Sequence, residues 1–173
     1  KENGVSHNQD WIVKVNKLNN KKRVVLTGGP GGGKTTALDL FQRELSGKIA
    51  TVPEAATMLF SGGICRVEDE HVLKHQQTAI FNLQRHLEDI IRSQFPNCLI
   101  LCDRGSLDGF AYWPECDEDF FETMNTSLKY ELSRYDAVIF FETAAKSGHG
   151  IQSNNPYRNE TENAAIELDD KLQ

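Results

Sequence analysis

Apolar residues follow two alternating patterns along the chain: short unbroken runs and longer stretches with helical spacing. The short runs are rich in β-branched residues and end at glycine, proline or polar residues, as buried parallel strands do. They cover residues 23–27, 48–52, 98–102 and 137–141. Because helical stretches separate these runs, the pattern predicts an α/β domain with a parallel sheet.

The helical stretches carry apolar residues three or four positions apart. The longest is predicted from about Glu68 to Gln94, with acidic residues at its N-terminal end. Asn159 and Glu162 have the spacing of a capping box, which predicts a last helix ending at Leu172. Shorter helices are predicted over residues 35–45, from Pro53 to Gly62, and over 117–134.

Composition limits the function classes. A chain of 173 residues suits one domain, which we expect over residues 23–173 after a polar extension over 1–22. Acids outnumber bases by 25 to 19, which argues against a nucleic-acid partner. No apolar run reaches the length of a membrane span, and the four cysteines form no metal-site pattern. We therefore expect a cytoplasmic protein with reduced thiols.

A glycine-rich segment after the first strand matches the phosphate-loop pattern G-x-x-x-x-G-K-[ST]. Its backbone N–H groups and the start of the next helix suit phosphate oxygens. Lys34 suits the β- and γ-phosphates of ATP or GTP, and the Thr35 hydroxyl suits Mg²⁺. We assign nucleotide binding to Gly28, Gly29, Pro30, Gly31, Gly32, Gly33, Lys34, Thr35 and Thr36.

An acidic residue and an arginine follow the apolar run at 98–102. Asp103 ends a predicted strand, where a second carboxylate for the metal belongs, so Thr35 and Asp103 are the predicted metal ligands. Arg104 is placed to contact a transferring phosphoryl group. The alternative for this pair is a surface ion pair.

The phosphate loop with Asp103-Arg104-Gly105 resembles the nucleoside and nucleotide monophosphate kinase branch of P-loop proteins. More closely, the chain is similar to a family of small bacterial AAA-domain ATPases and TRPL translocation defect proteins. That family is related to the nicotinamide riboside kinase domain of the NAD-biosynthesis regulator. The segments that carry the resemblance are LTGGP at 26–30, VPEAA at 52–56, SGG at 61–63, CDRG at 102–105 and NPYRNE at 155–160.

The resemblance covers about residues 23–172 and implies a three-layer P-loop NTPase fold. Its members usually continue into one more strand after the last helix, and some carry a further C-terminal domain. This sequence contains neither the strand nor such a domain. The expected domain is therefore kinase-like and truncated at its C-terminal end.

The resemblance also implies roles for three further residues. Glu54 takes the place of a base near the acceptor hydroxyl, although a first-turn glutamate that complements the helix dipole is an equal alternative. Gln76 takes the place of an amide that contacts a nucleobase edge, although it could instead face solvent. Arg158 closes a Gly-, Ser- and Asn-rich loop over 144–158, where such kinases keep a lid.

Two functions remain open at this stage. The first is a phosphotransferase that moves the γ-phosphate to a small, nucleoside-like acceptor, with Lys34, Glu54, Asp103, Arg104 and Arg158 as catalytic residues. Glu54, Gln76 and Arg104 would bind that acceptor. The second is an NTP-binding or NTP-hydrolysing switch that controls a partner or an attached domain. The absence of an N-K-x-D segment disfavours a Ras-like GTPase, and the histidines show no metal-ligand or triad spacing.

Overall fold

A computed structural model of the chain describes residues 22–67, 69–114, 119–143, 145 and 161–173. The predicted polar extension, apart from Lys22, lies outside the described residues. The predicted loop over 144–158, apart from Ala145, also lies outside them, and so do Arg158 and Asn159.

The described residues contain a parallel four-stranded sheet in the order β2-β3-β1-β4. In the register of the sheet, Val25 of β1 lies beside Cys102 of β3 on one side and beside Val138 of β4 on the other. Each strand is an apolar run, as the sequence predicts. The strands are β1 (Arg23–Thr27), β2 (Ile49–Val52), β3 (Leu99–Asp103) and β4 (Ala137–Phe140).

Helices cover both faces of the sheet, so the predicted three-layer α/β fold is confirmed. Leu38 and Phe41 pack with Leu26 and Leu101 on one face, whereas Leu87 and Ile91 pack with Val25 and Ile100 on the other. The helices are α1 (Lys34–Glu44), α2 (Ala55–Ser61), α3 (Glu70–Gln94), α4 (Phe120–Thr123), α5 (Leu128–Ser133) and α6 (Glu162–Leu172), and a 3₁₀ helix spans Ser106–Tyr112.

The single helix predicted over 117–134 is wrong. Two short helices, α4 and α5, replace it, because Asn125 takes a left-handed conformation with φ of 48°. Ser127 then caps α5 by accepting a hydrogen bond from the Tyr130 N–H. Phe120, Met124, Leu128 and Leu132 follow one another at intervals of four residues across this break. Apolar periodicity alone therefore could not detect it.

Two predicted helix starts also shift. Thr161, not Asn159, is the N-cap of α6, and its hydroxyl accepts from the Ala164 N–H. Pro53 precedes the N-cap Glu54 and is therefore outside the first turn of α2. Strand β4 differs from the other strands because its residues are half-buried or exposed at the edge of the described sheet.

Within the described residues, no helix combines the length and the apolar character needed to cross a bilayer. The four strands run parallel, so their carboxyl ends meet at one edge of the sheet. Thr27 and Asp103 end β1 and β3 at this edge, directly beside the glycine-rich loop.

Candidate active site

The glycine-rich loop between β1 and α1 depends on the absence of side chains. Gly28 has φ of 127°, and a Cβ there would lie 2.0 Å from the Phe141 carbonyl oxygen. Gly33 is the N-cap of α1 and takes a left-handed conformation with φ of 82°. The chain can therefore turn sharply enough to direct its backbone toward the start of α1.

Lys34 is held inside this loop. Its side chain is almost fully buried, and its Nζ donates hydrogen bonds to the Gly28 and Gly29 carbonyls, both at 2.7 Å. The ammonium group is thus fixed beside the loop backbone, where the phosphate-loop pattern requires a cation.

The last helix also supports the loop. Asp169 of α6 is fully buried, and its Oδ1 accepts from the Gly29 N–H at 2.8 Å and the Thr143 N–H at 3.1 Å. The Thr143 hydroxyl donates to the Pro30 carbonyl at 2.7 Å. Sequence analysis missed Asp169, because 140 residues separate it from Gly29 and no local motif marks the pairing.

Thr35 and Asp103 meet as predicted for two metal ligands. The Thr35 hydroxyl donates to Asp103 Oδ2 at 3.0 Å. The second oxygen, Asp103 Oδ1, is buried and has no hydrogen-bond partner among the described residues. Burial and the nearby Glu54 carboxylate raise the Asp103 pKa above its usual value. A buried carboxylate oxygen without a partner, next to a hydroxyl, fits a hard cation such as Mg²⁺.

Arg104 takes a left-handed backbone conformation, with φ of 72°, immediately after β3. The turn is held from both sides, because Arg104 N–H donates to the Leu26 carbonyl at 3.0 Å and Gln84 Nε2 donates to the Arg104 carbonyl at 3.0 Å. Such a conformation is costly for a residue with a side chain and is often found at functional sites.

The Arg104 side chain joins the loop to two carboxylates. Its Nε donates to Glu54 Oε1 at 2.7 Å, and its Nη1 donates to Asp108 Oδ2 at 3.1 Å and to the Gly28 carbonyl at 3.3 Å. Burial alone would lower the Arg104 pKa, but Tyr112, Glu54 and Asp108 raise it well above its usual value. The guanidinium therefore stays charged, and this buried arrangement replaces the surface ion pair considered from sequence.

From sequence, Glu54 is either a base near the acceptor hydroxyl or a first-turn glutamate that complements the helix dipole. It is the N-cap of α2, but its side chain makes no capping hydrogen bond. The carboxylate instead accepts from Arg104 and from the Thr57 hydroxyl. Its position thus follows from the arginine and not from the helix start.

A cavity of about 860 Å³, counting its open mouth, lies beside Arg104 between α2, α3 and the 3₁₀ helix. Phe60 and Phe81 supply apolar wall, while Glu54 and Asp108 supply carboxylates. The cavity therefore combines an apolar interior with charged groups at the side that faces the glycine-rich loop.

Two neighbouring glutamines behave differently in this cavity. Gln76 is 6% exposed and does not face solvent; its Nε2 donates to the Cys65 carbonyl at 2.6 Å. Gln77 is also 6% exposed and lines the cavity, but its amide has no hydrogen-bond partner among the described residues. The Gln77 amide is not among the fully enclosed polar groups, so a ligand or water in the cavity can form hydrogen bonds with it. Sequence analysis chose Gln76 and missed Gln77, since adjacent residues on a helix cannot be distinguished without the packing.

The structure brings together nearly all of the predicted site residues that it describes. The loop, Thr35, Glu54, Asp103 and Arg104 share one edge of the sheet, and Gln76 lies deeper, in the cavity wall. Arg158 is outside the described residues and stays a prediction from sequence.

Comparisons with known proteins agree with this architecture. The sequence profile of the AAA domain family matches residues 23–173. No curated protein matches the chain. A deoxyadenosine kinase from M. mycoides, solved with the products dCMP and a flexible dCDP bound, is similar in fold. The two proteins are 13% identical, the alignment covers 87% of this chain and 81% of the kinase, and the TM-score is 0.56.

The same kinase with dATP bound is 16% identical over the same shares of the two chains, with a TM-score of 0.45. The family match and the structure with a TM-score of 0.56 confirm the predicted kinase-like P-loop fold, whereas the narrower family names rest on the sequence segments alone. The chain belongs to the AAA domain family and is a P-loop NTPase with the fold of a nucleoside kinase.

Proposed function

We propose that this protein is a Mg²⁺-dependent phosphotransferase that moves the γ-phosphate of ATP or GTP to the hydroxyl of a small, nucleoside-like acceptor. The observation that carries the proposal is the cavity beside the glycine-rich loop, joined to it by Arg104. A kinase needs a second pocket within reach of the phosphate loop, and here one arginine touches both.

Each residue at this edge has a task in such a transfer. Lys34 and the loop backbone hold the phosphates, and Thr35 and Asp103 would hold the metal. When bound, Mg²⁺ neutralises charge on the phosphate oxygens. Glu54 accepts the proton of the attacking hydroxyl, because its carboxylate lines the cavity beside Arg104. Arg104 stabilises the charge that develops on the transferred group.

The cavity wall supports a ring-shaped acceptor with polar edges. Phe60 and Phe81 offer apolar surface to a flat ring, and the Gln77 amide offers one donor group and one acceptor group to its edge. The similar kinase was solved with a deoxynucleotide product, which supports a nucleoside-like acceptor here. We place the reaction in the cytoplasm, where the free thiols of Cys65, Cys98 and Cys102 would remain reduced.

The second candidate is an NTP-binding switch that hydrolyses its nucleotide slowly. It uses the same loop and metal ligands, and the family match supports it equally. It has no need of a cavity that contains Glu54, Arg104 and an unpaired glutamine. The cavity therefore favours the kinase.

A transfer assay separates the two functions. The protein is incubated with Mg²⁺, γ-labelled ATP or GTP and a panel of nucleosides and other small hydroxyl compounds. We expect label in an acceptor, and none with Lys34→Met, which keeps the length of the side chain but removes its charge. Label that appears only in inorganic phosphate, at a rate independent of every acceptor, would favour the switch.

A further inference from the structure

A pair of histidines lies on the outer face of the first two turns of α3. His71 and His75 are four positions apart, so the helix places them on the same face, one turn from each other. Their Nε2 atoms are 3.3 Å apart, and the rings meet edge to face with centroids 4.6 Å apart. Neither histidine is among the site residues expected from the sequence.

We propose that His71 and His75 together bind one divalent transition-metal ion. Imidazole nitrogens are good ligands for zinc, copper and nickel. Zinc–nitrogen bonds of about 2.0–2.1 Å in a tetrahedral shell place two ligand nitrogens about 3.4 Å apart. The observed separation of 3.3 Å between the two Nε2 atoms already matches this value. Both side chains are exposed, so an ion can reach them without unfolding the helix.

The coordination shell would be open. Within the described part of the chain, no third histidine, cysteine, aspartate or glutamate joins this pair to form a larger ligand group. Water would complete the shell, and the ion would exchange with solvent. This site differs in chemistry from Thr35 and Asp103, whose oxygen ligands suit Mg²⁺ and are poor ligands for softer ions.

Metal binding to the pair would stabilise the first turns of α3. The turns that carry His71 and His75 on the outside carry Leu73, Gln76 and Gln77 on the cavity side. An ion that binds the helical form and not the unfolded form stabilises that form by mass action. Metal binding would therefore hold the cavity wall in its helical conformation. The metal site itself stands independently of the proposed phosphotransferase.

Calorimetric titration of the full chain with Zn²⁺ tests the site directly. We expect saturable binding of one ion that is lost in His71→Gln and in His75→Gln and is unchanged by excess Mg²⁺. His86→Gln is the matched control, because His86 is exposed on the same helix and has Asn82 and Ile90 at the positions four residues away. Binding that persists in both pair variants, or that His86→Gln removes equally, would overturn the proposal.

Amide hydrogen exchange provides a second measurement. With Zn²⁺ bound, exchange at residues 72–79 should slow in the parent and in His86→Gln, and should not change in His75→Gln. Equal slowing in His75→Gln would show that the ion acts elsewhere, and would overturn the proposal that the histidine pair stabilises the start of α3. Because neither measurement uses nucleotide or acceptor, its outcome is separate from that of the transfer assay.

Discussion

Two clusters of buried charge meet at the turn after β3, and they face different surroundings. One opens onto the cavity, with Arg104 between two carboxylates. The other lies among β1, α3 and α5, where Glu88 and Glu131 are 0% exposed while Arg134 and Tyr135 are half-buried. We call the first the cavity cluster (Glu54, Arg104 and Asp108) and the second the sealed cluster (Arg23, Glu88, Glu131, Arg134 and Tyr135).

The clusters also differ in the ion pairs that their charged side chains form. In the sealed cluster, Glu88 Oε2 accepts from Arg23 at 2.7 Å and from Arg134 at 2.9 Å, and Glu131 contacts Arg134 at 3.5 Å. In the cavity cluster, a single guanidinium contacts two carboxylates. Charged side chains packed between helices and strands can hold those elements together, whereas charged side chains that line a cavity can contact a ligand there. Burial of charge alone therefore does not indicate a catalytic site.

A short connection joins the two clusters. Gln84 Nε2 donates to the Arg104 carbonyl at 3.0 Å and to Glu88 Oε1 at 3.3 Å. The Ser106 hydroxyl donates to Glu131 at 2.7 Å, only two residues after Arg104. The sealed cluster thus supports the backbone turn that presents Arg104 to the cavity.

The largest expected effect is on the cavity cluster. Glu54→Gln keeps the size of the side chain but removes the carboxylate that would accept the proton. We expect the transfer step to slow by about 10²–10⁴-fold, with nucleotide affinity close to that of the parent. Single-turnover transfer measures the step, and nucleotide titration measures the affinity.

Thr57→Val is the matched control for this variant, because it removes the hydroxyl that bonds to Glu54 and leaves the carboxylate and Arg104 in place. Its transfer rate should fall far less than that of Glu54→Gln. If Glu54→Gln transferred phosphate at the rate of the parent, Glu54 would not be the base, and its role would be limited to the ion pair with Arg104.

The next effect is on stability and concerns the sealed cluster. Glu88→Gln leaves Arg23 and Arg134 without their shared carboxylate in a buried place. We expect the free energy of unfolding to fall by about 3–5 kcal/mol, because removing one partner of a buried ion pair is costly even where weaker partners remain. Denaturant unfolding measures the change. Transfer per folded molecule should change much less than in Glu54→Gln.

Asp89→Asn is the control for this change. Asp89 also contacts Arg23, at 3.0 Å, but its side chain is 59% exposed. Its loss should cost about 0–1 kcal/mol, since water screens an exposed pair. Equal losses of stability in Glu88→Gln and Asp89→Asn would show that enclosure does not distinguish the two pairs.

The contrast between the clusters also explains what could be predicted from sequence. The glycine-rich loop, Lys34 and Asp103 lie in contiguous motifs whose spacing indicates their chemistry, so the sequence alone could propose them for one site. Glu54 lies 50 residues from its partner Arg104, and Arg23 lies 65 residues from its partner Glu88, so only the fold brings these pairs together. Apolar periodicity marked the strands and α3, but it could not detect the turn at Asn125 or separate Gln76 from Gln77.

A smaller effect is expected at the link between the clusters. The Tyr135 hydroxyl accepts from the Ser106 N–H at 2.7 Å and donates to Glu88 at 2.8 Å. Burial and the Glu88 carboxylate raise the Tyr135 pKa, so the phenol keeps its proton. Tyr135→Phe leaves the Ser106 N–H without this acceptor, which should cost about 1–3 kcal/mol in unfolding free energy.

The same variant tests whether the sealed cluster positions Arg104. If it does, the rate constant of transfer should fall while the KM for nucleotide stays near that of the parent, because the loop is untouched. Tyr130→Phe, an exposed tyrosine on α5, is the control and should change neither quantity. A stability loss in Tyr135→Phe without any change in rate would make Tyr135 purely structural.

The smallest expected effect concerns the reactivity of two cysteines, one beside each cluster, toward an alkylating reagent. Cys102 is 0% exposed beside the sealed cluster, and burial, reinforced by the Glu88 carboxylate, raises its thiol pKa well above the usual value. Cys65, next to the cavity, is exposed. Because the thiolate is the reactive form, an alkylating reagent should modify Cys65 in the native protein and reach Cys102 only after unfolding. Peptide mapping by mass spectrometry assigns each site.

Glu88→Gln should speed the labelling of Cys102 while leaving Cys65 unaffected, since a less stable protein unfolds more often. Labelling of native Cys102 as fast as Cys65 would show that solvent enters the sealed cluster, and the distinction between the two clusters would then fail.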